Sequence, residues 1–137
     1  MSQLSVRPVD GAGRLANSAC ISRITYEPNQ LEVSLEHDED VITVRFEGVV
    51  GFRVLDERDL LEFWPTCSTP NGWFFEILSG GWRAHEEARS AFLAPTMFKS
   101  LKEYLVTGVN DCVSVLTDGT DRPVIVQVRS NPSLERP

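Results

Sequence analysis

Two short runs set the frame of this chain. In Leu31-Glu32-Val33-Ser34-Leu35-Glu36 apolar residues alternate strictly with polar ones, and Ile42-Thr43-Val44-Arg45-Phe46-Glu47 repeats the alternation. Period-two alternation puts one face of a strand in a core and the other in water. His37, Asp38, Glu39 and Asp40, between the runs, are polar and turn-prone. The pair therefore reads as a hairpin that buries Leu31, Val33, Leu35, Ile42, Val44 and Phe46. On its wet face Arg45 stands within reach of Glu32 or Glu36, an exposed pairing worth about a few tenths of a kcal/mol.

The alternation resumes at Val50, Phe52 and Val54, with Gly48 and Gly51 marking a bulge or a sharp bend in a curling sheet. The functional alternative at these glycines is a close approach of the backbone to a ligand. Residues 73–78, aromatic and β-branched, read as a strand buried on much of both faces. Residues 20–26, 104–107, 112–116 and 124–128 are further strands, with turn-rich residues at 108–111 and 118–121.

Two segments carry helical signals instead. Asp56 suits an N-cap, Glu57 and Asp59 sit in the first turn where negative charge favours the helix dipole, and Pro65 ends the run. Leu55 and Leu60 stand at the positions of a hydrophobic staple. Residues 82–93 place Ala84, Ala88, Ala91 and Phe92 on neighbouring helical faces. Short connections argue for antiparallel pairing, because parallel strands need long crossovers. The expected fold is α+β, mainly β: a strongly bent antiparallel sheet, a small barrel or a sandwich, with one or two short helices packed on it.

A length of 137 residues fits one domain, with residues 1–17 and 131–137 expected to be flexible. No stretch approaches the roughly 18 apolar residues of a membrane span, and residues 1–18 lack the apolar core of a secretory signal, so a cytoplasmic location is expected. The three cysteines, Cys20, Cys67 and Cys112, are odd in number and lack metal-ligand spacing. Cys20 and Cys112 lie in apolar strand patterns and are expected to be buried; Cys67, between Pro65 and Pro70, reads as an exposed loop thiol.

Charge changes the picture most. Residues 27–62 hold eleven of the twenty acids and three bases, a formal −8, while the rest of the chain is nearly balanced at +1. A one-signed surface of this kind repels anions and draws in cations. Nucleic acid is disfavoured as a partner, since only two lysines occur and no basic run interleaves with aromatics. Nothing in the pattern points to a membrane, a cofactor or an oligomeric state.

A catalytic set is not visible. His37 and His85 are the two histidines, and His85-Glu86-Glu87 lacks the second histidine of a zinc helix. Asp38-Glu39-Asp40 does not match a calcium loop, Ser79 is not in a nucleophile elbow, and no phosphate-cradling glycine motif occurs. Glu32 and Glu36 are explained as the wet face of a hairpin, and Asp56, Glu57 and Asp59 as the start of a helix. The turn at Asp38, Glu39 and Asp40 has no such explanation.

The expected function is therefore non-enzymatic capture of a basic protein partner. The candidate contacts are Glu36, Asp38, Glu39, Asp40 and Glu57, with Trp82 as an aromatic anchor beside two glycines. Small immunity proteins that inhibit bacterial toxins share this general character. The alternative is a small-molecule-binding domain or small enzyme with its pocket in the bent sheet, near Gly48, Gly51 and residues 73–78.

Overall fold

The structure, a computed structural model, describes residues 3–13, 19–56, 67, 72–89 and 100–129. Within them lie nine strands, β1 (Ser5–Pro8), β2 (Cys20–Glu27), β3 (Gln30–His37), β4 (Asp40–Glu47), β5 (Val49–Asp56), β6 (Phe74–Ser79), β7 (Lys102–Thr107), β8 (Asp111–Thr117) and β9 (Val124–Arg129). One helix of six residues, α1 (Trp82–Glu87), accompanies them. The strands form two sheets, ordered β1-β6-β7-β8-β5 and β2-β3-β4-β9, with every neighbouring pair antiparallel.

The hairpin pattern is realised residue for residue. Glu36 pairs Val41 and Glu32 pairs Arg45, so Leu31, Val33, Leu35, Ile42, Val44 and Phe46 share one face and are all buried. That face packs on Phe74, Tyr104, Val106, Val113 and Val115 of the other sheet in a single core. Phe46 meets Phe74 edge-on at 5.7 Å and lies 5.6 Å from Tyr104, joining the two sheets through aromatic contacts. Phe75, Ile77, Leu105 and Cys112, on the far face of the five-stranded sheet, form a second cluster under Leu4, Val6 and Leu55. β6 is thus buried on both faces, as its aromatic run implied.

The architecture is two antiparallel sheets packed face to face with one short helix, which bears out the expected mainly β fold in its sandwich form; among the described residues no closed barrel forms. At Gly48 the chain leaves the four-stranded sheet and enters the other. Gly48 has φ 65, and a Cβ there would collide with the Asp118 carboxylate, so glycine is needed both for the turn and for the close approach. The bulge expected nearby falls between Val49 and Gly51. Gly51 faces the Trp82 ring, so both glycines make room for the protein's own side chains.

Other differences follow from which strand lies beside which. Residues 5–8, expected in a flexible start, form β1 and pair β6. Cys20 is exposed rather than buried, because it sits on edge strand β2 opposite Glu36 on the wet face. Cys67 is buried rather than exposed, packed with Phe75, Ile77 and Leu105. Asp56 closes β5 opposite Asp111. The helix expected after it, including Glu57, lies outside the described residues, as do residues 90–93 of the second expected helix and the tail from 131.

Candidate functional site

The β3–β4 turn is built from two residues, Asp38 and Glu39, with His37 and Asp40 pairing across its base. Asp38 adopts φ 55, a conformation that aspartate and asparagine tolerate better than most side chains. The short turn places Glu36, Asp38, Glu39 and Asp40 together at one end of the four-stranded sheet. Glu36, Asp38 and Glu39 are exposed, and Asp40 is half-buried. Asp40 Oδ2 accepts a 2.7 Å hydrogen bond from Gln127 Nε2 on β9. His37 turns inward, with its Nε2 3.7 Å from Asp38 Oδ2.

Elsewhere on this sheet the acids are offset or dispersed. Arg45 Nη2 lies 2.7 Å from Glu32 Oε2, so the hairpin's cross-strand pair neutralises that carboxylate. Glu27 and Glu47 lie at the opposite end, beside the turn at Pro28 and Asn29. The β3–β4 tip thus gathers Glu36, Asp38, Glu39 and Asp40, with Arg129 of β9 opposite Asp40 in the register. Among the described residues no three His, Cys, Asp or Glu side chains converge as metal ligands would.

Trp82 belongs to the other sheet. It opens α1, with Arg53 Cζ 5.1 Å from its ring centroid. Beneath it lies a feature the sequence pattern does not reveal: Glu103, the second residue of β7 and only 2% exposed. Its two carboxylate oxygens accept the backbone N–H groups of Trp82 at 2.9 Å and Arg83 at 2.8 Å. Burial pushes the Glu103 carboxyl above the usual carboxylate range, while the two N–H groups and the charges of Arg53 and Arg83 pull it back. A Cβ on Gly81 would collide with this carboxylate, so the glycine before the helix is a condition of the arrangement.

A second polar site lies at the edge of the sandwich. A cleft of about 260 Å³ is lined by Arg7, Asp10, Glu76, Lys102, Tyr104 and Arg122, with Pro8, Val9 and Pro123. Arg7 donates to Glu76 Oε1 through Nη2 at 2.8 Å and Nε at 3.1 Å, and Lys102 Nζ is 3.6 Å from Glu76 Oε2. Tyr104 is almost wholly buried, and burial together with Glu76 raises its phenol above the ordinary value. The residues come from four separated stretches of chain, so no local signal could have announced the cleft.

Comparison of the chain with protein-family models, with curated proteins and with solved structures finds no match. Among the described residues no helix is long and apolar enough to cross a membrane.

Proposed function

We propose that this protein is a non-enzymatic binding module that captures a basic protein partner on the β3–β4 tip. The reading is carried by the gathering of Glu36, Asp38, Glu39 and Asp40 at and beside a two-residue turn, while Glu32 is offset by Arg45. Clustered exposed charge speeds encounter with a cationic surface and penalises wrong partners. A toxin-neutralising protein of the immunity type is one class with this character.

The experiment is affinity capture from the source cell at about 50 mM and about 500 mM salt, where screening differs most. Asp38→Asn with Glu39→Gln serves as the charge-neutral control. High salt and the double substitution are each expected to weaken binding about tenfold. Unfolding stability should move by less than about 0.5 kcal/mol, since both positions are exposed. Binding indifferent to salt and to the substitutions would end the electrostatic reading.

The cleft favours a second reading, a site for a small anion. Its three cations outnumber its two acids, and Arg122 is exposed at the rim. Among the described residues the face between the sheets is packed with side chains, and this cleft lies at its edge. Titration with inorganic phosphate and with a small dicarboxylate, followed by amide NMR shifts, should perturb residues 102–104 and 122 in the native chain. Arg122→Gln should remove the effect. Absence of shifts at about 10 mM ligand, corresponding to affinity too weak to matter, would set this reading aside.

A further inference from the structure

We propose that β9 is a self-association edge, on which two copies of this chain pair their β9 strands antiparallel about a two-fold axis at Val126. The inference starts from how the four sheet edges differ. Edge strands expose unpaired backbone groups, and proteins blunt them with bulges, prolines, charges and short length. β1 has four residues, a register shift between Ser5 and Val6, and Pro8 at its end. β2 has a shift between Ile21 and Arg23, and β5 one between Val49 and Gly51. β9 alone has none: it pairs β4 without interruption from Asp40↔Arg129 to Arg45↔Val124. Pro123 stands before the strand, and residues 124–128 carry no charge.

The same strand exposes its side chains. Val124, Val126 and Val128 share the outer face and are 52%, 50% and 56% exposed, three of the largest exposures of apolar residues among the described positions. The other three edges of this fold are each broken by a register shift, whereas residues 124–128 present a regular, uncharged and mostly apolar one. Its pattern is also self-complementary. With the axis at Val126, Val124 of one copy lies opposite Val128 of the second, and the reverse, so six valines form one stripe across the seam.

In this register Arg129 of one copy lies opposite Pro123 of the second, so the one charged residue of β9 meets no like charge directly across the seam. A seam of six residues is small compared with the roughly 1,200 Å² or more buried in stable complexes, so the dimer is a concentration-dependent one. The proposal stands independently of the basic partner proposed above.

Sedimentation of the full chain across a concentration series tests it. The native chain is expected to shift from monomer to dimer as concentration rises, and Val126→Lys to weaken association at least tenfold with an unchanged circular dichroism spectrum. Val126→Thr, which keeps the β-branch, should associate at an intermediate level. Register is read by thiol cross-linking in a Cys20→Ser background. Val126→Cys should cross-link to itself, Val124→Cys should not, and a mixture of Val124→Cys with Val128→Cys should. A chain that stays monomeric at about 1 mM overturns the proposal and leaves the edge to a foreign strand. Dimers unaffected by Val126→Lys, or a Val124→Cys self-link in place of the Val126→Cys one, would overturn it equally.

Discussion

Phe74→Ala is expected to cost about 3–5 kcal/mol of unfolding free energy, the range for removing a fully buried phenylalanine. Domains of this size have about 5–15 kcal/mol in total, so the variant should be marginal or unfolded at physiological temperature. The size of the effect comes from position. Phe74 lies on β6 of the five-stranded sheet and touches Trp73, Tyr104 and, across the interior, Phe46 of the other sheet. A cavity there opens between two layers that have little freedom to close it, because each is held by its own backbone ladder. The more discriminating measurement is a double-mutant cycle on Phe46→Leu and Phe74→Leu, followed by urea unfolding. Edge-to-face packing across the sandwich predicts a coupling of about 0.5–1.5 kcal/mol. Additivity of the two substitutions would mean that the sheets do not meet through this pair.

What could be read in advance, and what could not, divides along a physical line. Strand positions and the buried face of the first hairpin were legible because alternation is local: Leu31, Val33 and Leu35 bury whatever lies opposite. The Glu32–Arg45 pair was legible for the same reason, since hairpin register follows from its own turn. Sheet membership was not legible. Val50, Phe52 and Val54 alternate as Val44 and Phe46 do, yet Gly48 carries them into the other sheet, and Asp118 to Pro123 carry the chain back for β9. A glycine marks that the chain turns, and says nothing of which strand it turns to meet.

The same distinction explains the cysteines and the candidate contacts. Cys20 has an apolar-looking context and lies on an edge; Cys67 sits among prolines and is buried. Burial of a residue outside a strong periodic run is set by neighbours distant in sequence. The acidic turn was legible as a unit because its residues are consecutive. Trp82 was grouped with it on chemistry alone, and the fold assigns Trp82 to the opposite sheet with Arg53. The exposed stripe of β9 was hidden behind an ordinary strand pattern, because Val124, Ile125, Val126 and Val128 read as core until the neighbour list is known.

Glu103→Ala is expected to cost about 3 kcal/mol, because it strips two N–H groups of their acceptor and removes a buried carboxylate whose charge Arg53 and Arg83 favour. The pH dependence of Glu103→Gln is the sharper result. Burial raises the Glu103 carboxyl in the folded protein above its value in the unfolded chain, so the folded state holds the proton more tightly. Over the interval from the ordinary glutamate range up to the raised value, the folded state binds more protons than the unfolded state, and stability falls as pH rises. Below that interval the group is protonated in both states and contributes no slope. The glutamine cannot ionise and lacks this loss. Its own deficit, about 1–2 kcal/mol, comes from an amide NH2 that faces a backbone donor where a carboxyl oxygen, able to accept in either protonation state, stood. Urea unfolding of both proteins at several pH values should therefore show the glutamine variant less stable at the acid end, with the gap narrowing as pH rises through the interval. Parallel curves would mean that solvent reaches Glu103, and a widening gap would mean that the two N–H groups and the arginines outweigh burial and hold the carboxylate ionised.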